Sequence, residues 1–440
     1  MFSDLPKVLH PLAGKPMLSH VLDTARQLKP AKLCVVYGFG GDLVPATVND
    51  EAIVWAMQTE QKGTGHAVMQ AMPLLQDEAT TLILFGDVPL IEADTCRLLL
   101  EQAIGGNLAL LTVQMPDPTG YGRIVRNANG DVVSIVEHKD ASPEQRAIRE
   151  INTGIMAVPT VSLRAWLQGL KNHNAQGEYY LTDIVAMAVE SGIKVSAVQG
   201  LSIPEVSGVN SKRDLAQLER IYQQAQAEKL LQQGVTLSDP ARLDIRGQLS
   251  CGRDVSIDVN CVFEGQVSLA DGVSVGAHCV IKDSQIGRGA IIAGFTHMEG
   301  ANVGEGSRIG PYARLRPGSS LAEHTHIGNF VEIKNSEIGQ DSKVNHLSYV
   351  GDSTVGRNVN IGAGTITCNY DGANKFRTVI GDNAFIGSDS QLVAPVTIGA
   401  NATIGAGSTI TKDAPAGELT LSRGKQITVS GWKRPTKKKS

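Results

Sequence analysis

The sequence predicts an α/β chain in two unlike parts: a Rossmann-like half, then a long helix leading into a left-handed parallel β-helix of hexapeptide repeats. Three observations carry this. Up to about residue 200, short apolar runs alternate with amphipathic stretches, the grammar of a mostly parallel sheet with helices on both faces. Beyond about residue 245, aliphatic residues recur every six positions. A helix repeats its apolar face at three and four, so a strict six belongs to a parallel β-helix whose coils bury one another. Glycine is abundant, at 47 residues, while aromatics make up only 4%, which suits tight corners and a core of small side chains.

The elements follow in order. LCVVYG (33–38), IVWAM (53–57), TLILFGD (81–87) and LALLTVQ (108–114) read as buried strands. Residues 65–76, 92–104 and 181–192 read as helices. Residues 211–233 hold neither Gly nor Pro and are rich in helix formers, so they form the connecting helix; Pro240 stands near the change of grammar. Val303, Ile309, Leu315, Leu321, Ile327 and Ile333 then keep the six-residue step, as do Ile380, Ile386, Leu392, Ile398, Ile404 and Ile410. The period fails between about 367 and 379, in TCNYDGANKFRTV. In a solenoid an insertion becomes a loop on one face, often the binding face. The boundaries expected are 1–210 for the α/β domain, 211–235 for the linking helix, 236–422 for the β-helix and 423–440 for a basic tail.

Composition narrows the function classes. The formal net charge of −4 gives no global attraction to nucleic acid or anionic lipid. The tail GWKRPTKKKS (431–440) lacks aromatic stacking residues and reads as a solvated end, so no nucleic-acid role is expected. No apolar run reaches the length of a membrane span, so none is expected, and the segment MFSDLPKVLHPLAGKPM lacks the long apolar core of a signal peptide. Cysteines 34, 96, 251, 261, 279 and 368 form no C-x-x-C pair. Incidental thiols in a reducing cytoplasm are expected, with neither zinc nor disulfides.

Two residues suggest chemistry by type and place. His346, in NHLSYVGD, carries a ring that titrates near neutral pH and suits a general base. Asp87, in FGDVPL, ends a strand, where α/β sheets bind ligands and a carboxylate can hold magnesium against phosphates. A hexapeptide zinc enzyme built from His297, His324, His326 and His346 is a rival reading, with His324 and His326 on one strand face. The absence of metal motifs and the presence of the α/β half argue against it, and the density of polar candidate residues argues against a non-enzymatic sugar-nucleotide binder or scaffold.

Several segments together resemble one family over essentially the whole chain. They are DLPKVLHPLAGKPM (4–17), QTEQKGTGHA (58–67), FGDVPL (85–90), DPTGYGRIVR (117–126), VEHKDA (136–141), EINTGI (150–155), GNFVEIKN (328–335), NHLSYVGD (345–352) and NIGAGTITCNYDGANKFRT (360–378). The family is the bacterial bifunctional N-acetylglucosamine-1-phosphate uridyltransferase and glucosamine-1-phosphate N-acetyltransferase, enzymes of cell-envelope precursor synthesis. The resemblance implies acetyl transfer from acetyl-CoA to glucosamine-1-phosphate, then uridylyl transfer from UTP with Mg2+. It makes His346 the acetyltransferase base and places Arg316, Lys334, Tyr349, Asn360 and Lys375 on the sugar phosphate. Ala363, Asn369, Tyr370, Ser388, Ala406 and Arg423 fall to acetyl-CoA, and Glu332 and Asn369 are expected to orient the imidazole. In the other half it assigns Lys7, Gln58, Gly63, Thr64, Gly122, Glu137, Asn152 and Asn210 to UTP or the nucleotide sugar, and Asp87 with Asn210 to the metal. It also implies a homotrimer with a site between subunits, and a flat β-helix face favours self-association independently.

The family's first strand and its loop L-A-A-G-x-G-T-R-M precede the position where Met1 aligns. Two alternatives follow: a start that is misassigned or truncated, or an enzyme impaired in uridylyl transfer. That strand is expected to be central, so without it apolar surface and unpaired backbone are expected nearby.

Overall fold

A computed structural model describes residues 1–200 and 202–437. The chain divides into two units, Met1–Tyr222 and Gln223–Ser440. The predicted connecting helix is present as Lys212–Gln232, and the division falls inside it. Leu215, Leu218 and Tyr222 join a core of the first unit, and Ala227 and Leu230 join that of the second.

In the first unit the strands are β1 (Leu33–Tyr37), β2 (Ile53–Met57), β3 (Thr80–Ile83), β4 (Leu108–Gln114), β5 (Arg123–Arg126), β6 (Val132–Val136), β7 (Glu150–Pro159) and β8 (Val195–Gln199). All four predicted strands are therefore present. Helices Thr64–Ala71, Ala93–Gln102 and Ile184–Glu190 match the three predicted stretches.

The expectation of a mostly parallel sheet is corrected. Six strands run in the order β8-β4-β7-β5-β6, with β3 also pairing β7. Only β8–β4 is parallel there; β4–β7, β3–β7, β5–β6 and β5–β7 are antiparallel. The cause is β7, a ten-residue strand that enters the sheet after the β5–β6 hairpin. It bonds β4 on one side and both β5 and β3 on the other.

Burial also differs from expectation. β4 is buried on both faces over its first six residues, as a central strand requires. β1 is only half-buried throughout and bonds β2 alone. β3 is likewise half-buried, and its one strand partner is β7. Each thus keeps one strand edge unpaired among the described residues.

The second unit is a parallel β-helix. Its faces are an 11-stranded and a 17-stranded parallel sheet running from Thr236 to Thr420. Stacked partners lie 17 or 18 residues apart in sequence, about three hexapeptides. Both aliphatic series point inward, and none of their members is more than 5% exposed. Each side chain sits on its equivalent in the next coil, so the core is one column of aliphatics. The corners bear a second stack: His278, Phe295, Tyr312 and Phe330 all have left-handed φ, and their ring centroids are 4.8, 5.0 and 5.4 Å apart.

The irregular segment is an inserted loop. Asn358 and its stacked partner Asn383 are 25 residues apart. The extra residues leave after Ile366–Cys368 and return at Thr378–Ile380. A Tyr370–Lys375 bridge narrows the loop, and the Asp371 carboxylate accepts from Ala373 N and Asn374 N. The tail from 423 to 437 is exposed and carries no helix or strand. All six cysteines are free.

Candidate functional site

In the first unit the loop after β3 carries Asp87. Lys7 Nζ lies 2.5 Å from Asp87 Oδ2 and donates to Asn210 Oδ1 at 3.0 Å. Two oxygens from distant chain segments thus converge on one ammonium. Asn210 is held in place from below: Asp214 Oδ2 accepts from Asn210 N and Ser211 N at 2.9 and 2.8 Å. Val209 N also bonds Asp87 O at 2.9 Å. Asp214 is a residue that sequence reasoning missed.

The other predicted nucleotide-site positions are linked to one another through successive contacts. The side chain of Gln58 bonds His66 Nδ1 at 3.0 Å and Gly63 O at 3.3 Å. Gly63 adopts φ +106°, and a Cβ there would fall 2.7 Å from Tyr179 O, so a side chain is excluded. Thr64 Oγ1 accepts from Leu181 N, and the neighbouring Thr182 Oγ1 donates to Glu137 Oε1 at 3.0 Å. A Cβ on Gly122 would meet that same Glu137 oxygen at 3.2 Å, and Asn152 N donates to Gly122 O at 2.8 Å. Burial pushes the Glu137 carboxyl above its ordinary range, which Thr182 only partly offsets.

In the β-helix, His346 ends the strand Lys343–His346 and is exposed. Asn329 is its register partner on His326–Asn329. Its Oδ1 lies 2.7 Å from His346 Nδ1. The partners expected for the imidazole point elsewhere. Glu332 Oε1 accepts from Arg316 Nη1 at 2.9 Å, and Asn369 bonds Asp352 and, at 3.4 Å, the Tyr349 hydroxyl. Within this chain Glu332 lies on the sheet around the corner from His346, and Asn369 just past a strand of that sheet.

On that neighbouring sheet the predicted cation Lys334 meets a carboxylate that the sequence did not single out. Asp352 is 7% exposed. Lys334 Nζ donates to it at 3.1 Å and Asn335 Nδ2 at 2.6 Å. Burial alone would push the Asp352 carboxyl up, but the bonds from Asn335, Lys334 and Asn369 hold it below the usual carboxylate range. The same carboxylate holds Lys334 above its ordinary value despite burial, while the adjacent Lys334 ammonium lowers Lys375. Lys334 thus donates to this carboxylate, and Lys375 lies near enough to feel both charges.

Beyond His346, three of the residues expected to meet acetyl-CoA form one column. Asp389 N bonds Ala363 O at 2.7 Å, and Gly407 N bonds Ser388 O at 2.8 Å. Ala363, Ser388 and Ala406 are therefore stacked in successive coils, one coil beyond His346 in the same sheet. A Cβ on Gly407 would stand 3.8 Å from Arg423 Cδ, so Arg423 closes the column. Tyr370 is exposed on the inserted loop, its hydroxyl on Gly372 O. Asn360 is not brought to the Lys334 cluster. It pairs with Lys343 and Phe385 on the other sheet.

Among the described residues no group of three His, Cys, Asp or Glu side chains is placed to hold a metal. His324 sits at a corner with φ +57°, not on a strand with His326, and His297 lies on a different sheet. No described helix is long and apolar enough to cross a membrane.

A carboxylate on the loop after β3, which ends at Ile83 and not at Asp87 as the sequence suggested, joined in one chain to a hexapeptide solenoid with an exposed imidazole, defines a nucleotidyltransferase fused to a hexapeptide transferase. Residues 1–236 match the MobA-like NTP transferase domain, and residues 377–412 match the bacterial transferase hexapeptide (six repeats). The chain is 62% identical over 439 residues to bifunctional protein GlmU of Nitrosospira multiformis, covering 100% of this chain and 95% of that protein. For the Cupriavidus pinatubonensis protein of the same name the identity is 61% over 438 residues, with 100% and 96% covered. The one from Azoarcus sp. is 60% identical over 439 residues, with 100% and 97% covered. The chain belongs to the bifunctional GlmU family, and it carries both a uridyltransferase domain and a hexapeptide acetyltransferase domain.

Proposed function

We propose that the chain makes UDP-N-acetylglucosamine for cell-envelope synthesis in two steps, each run by one unit. In Gln223–Ser440 the amine of glucosamine-1-phosphate attacks the thioester carbonyl of acetyl-CoA. A C–N bond forms and the C–S bond breaks; His346 accepts the amine proton and returns it to the departing sulfur, so that CoA leaves as the thiol. Lys334, Lys375 and Arg316 neutralise the sugar phosphate, with Tyr349 beside it. The observation that carries this reading is the lane floored by Ala363, Ser388 and Ala406. It leads from the imidazole to Arg423, with room for a pantetheine arm and a cation for the CoA phosphates.

In Met1–Tyr222 the phosphate of N-acetylglucosamine-1-phosphate attacks the α-phosphorus of UTP and pyrophosphate leaves. Lys7 contacts phosphate, while Gln58, Gly63 and Thr64 hold the uracil. Gly122, Glu137 and Asn152 hold the sugar. Asp87 and Asn210 fit Mg2+: hard oxygens that already converge on one cation, two protein ligands being enough for an ion that keeps waters and phosphate oxygens. The ion supplies charge neutralisation at the triphosphate. The six unpaired thiols fit a reducing compartment, and we place the enzyme in the cytoplasm.

The test runs both half-reactions on the full chain and two variants. CoA release with glucosamine-1-phosphate reads one, and pyrophosphate release from UTP with Mg2+ reads the other. His346→Ala is expected to abolish acetylation and keep uridylylation. Asp87→Ala is expected to do the reverse. Acetylation retained by His346→Ala removes His346 as the base. No turnover by the unaltered chain in either assay would return the non-enzymatic reading.

A further inference from the structure

We infer that Asn329 is a positioning residue for acetyl transfer: its side-chain carbonyl fixes the imidazole of His346 in the tautomer that leaves Nε2 free to take a proton. The inference rests on the reading of His346 as the base. A neutral imidazole has one N–H and one lone pair, and the partner at one nitrogen decides which nitrogen is the base. Here Asn329 Oδ1 stands 2.7 Å from Nδ1. A carbonyl oxygen can only accept, so Nδ1 keeps the hydrogen and Nε2 presents its lone pair outward.

The backbone holds both residues to this arrangement. Asn329 and His346 face each other in register on adjacent coils, and Leu347 N donates to Asn329 O at 3.1 Å. Ser348 Oγ donates to His346 O at 2.8 Å. On the other side Gly328 lies so close to Asn345 O that a Cβ would come within 2.0 Å of it.

The partner is also neutral. A carboxylate at this place would stabilise the imidazolium and weaken the base at low pH. The ionisable neighbour is His326 on the Asn329 strand, itself flanked by Arg308 and Lys343. None of the carboxylates of Glu332, Asp352 or Glu337 has a hydrogen bond to the ring.

The experiment compares Asn329→Ala and Asn329→Asp with the unaltered full chain, using uridylyl transfer and melting temperature as controls on folding. In Asn329→Ala the tautomer is no longer fixed, and kcat for acetylation is expected to fall by about ten- to a hundredfold, part of the general-base contribution. KM for both substrates should stay within about twofold, since ground-state binding is untouched. In Asn329→Asp the tautomer is kept and the imidazolium is stabilised. The acid limb of kcat/KM should therefore move to higher pH by about one unit, with the high-pH plateau restored towards normal. The substrate amine titrates identically with every variant, so a difference in the limb belongs to the enzyme.

Normal kcat in Asn329→Ala, or an unmoved limb in Asn329→Asp, overturns the inference. So does 15N NMR showing the hydrogen on Nε2, which would mean that the Asn329 amide donates instead. If Asn329→Ala fails to fold, the limb of Asn329→Asp decides alone. Acetylation surviving in His346→Ala strikes the reading of the base itself, and is thereby told apart from failure of this inference.

Discussion

At the scale of single residues the acetyltransferase site depends on one carboxylate with three donors. Asp352 is nearly buried and holds Lys334, Asn335 and Asn369 together. Its folded pKa lies below the unfolded value. Its contribution to stability is therefore present above an unfolded pKa of about 3.9 and is lost as pH falls through the folded value. Asp352→Asn is expected to lack that dependence, so its melting temperature should drop less between pH 6 and pH 3 than that of the unaltered chain. The same change loosens Lys334, and KM for glucosamine-1-phosphate should rise at least about tenfold, as when one charged hydrogen bond is lost. A full-sized acid-induced drop in the variant would show that Asp352 is not the group responsible. Neither Asp352 nor Asn329 was chosen from the sequence, although both stand in the matching segments NHLSYVGD and GNFVEIKN. What hid Asn329 is distance along the chain: it lies 17 residues before His346, and only the coil length makes that adjacency.

At the scale of elements the β-helix transmits position from coil to coil. Its strands are two to four residues long around the site, so each is located by its neighbours in the stack rather than by its own hydrogen bonds. Gly328 is where that packing is closest to the imidazole. A methyl group there would meet backbone, which no rotamer change relieves. Gly328→Ala is expected to cost about 1–3 kcal/mol, as overpacking does elsewhere, and to displace Asn345 and His346. Acetylation should fall while uridylylation persists. An unchanged melting temperature and unchanged acetylation would mean that the coils yield more than the close approach implies. In the α/β unit the decisive element is β7. Its apolar stretch IMAVP follows EINTG without clear alternation, so it gave no strand signal, yet it turns a parallel expectation into a mixed sheet.

At the scale of the whole molecule, every predicted uridyltransferase residue falls in Met1–Tyr222 and every predicted acetyltransferase residue in Gln223–Ser440. This is why the His346 and Asp87 variants are expected to separate the activities. The acetyltransferase residues are also divided between two faces of one solenoid. Asn360 and His346 belong to one sheet, Arg316, Lys334 and Tyr349 to the other, and outward side chains on different faces of a prism diverge. A second copy is what would bring such groups around one ligand, as the homotrimer implied by the family resemblance would. Sedimentation equilibrium should return about three times the 46.6 kDa chain mass, and acetylation should fall on dilution below the assembly constant while uridylylation does not. A monomer with full acetyltransferase activity would refute the shared site.

The sequence by itself determined the two-part architecture, the helix between the parts, the inward aliphatic column and the place of the inserted loop. These are set by local periodicity, which burial imposes on every coil and every amphipathic helix. It also pointed to His346, Asp87 and the column Ala363, Ser388 and Ala406, because residue type and family resemblance survive without coordinates. Tertiary structure alone decided that β1 and β3 are half-open, that β7 runs antiparallel between β3 and β4, and that Asn329 meets the imidazole. Strand order and hydrogen-bond partners depend on which distant segments stack together, and pairings of that kind leave no periodic mark on the chain.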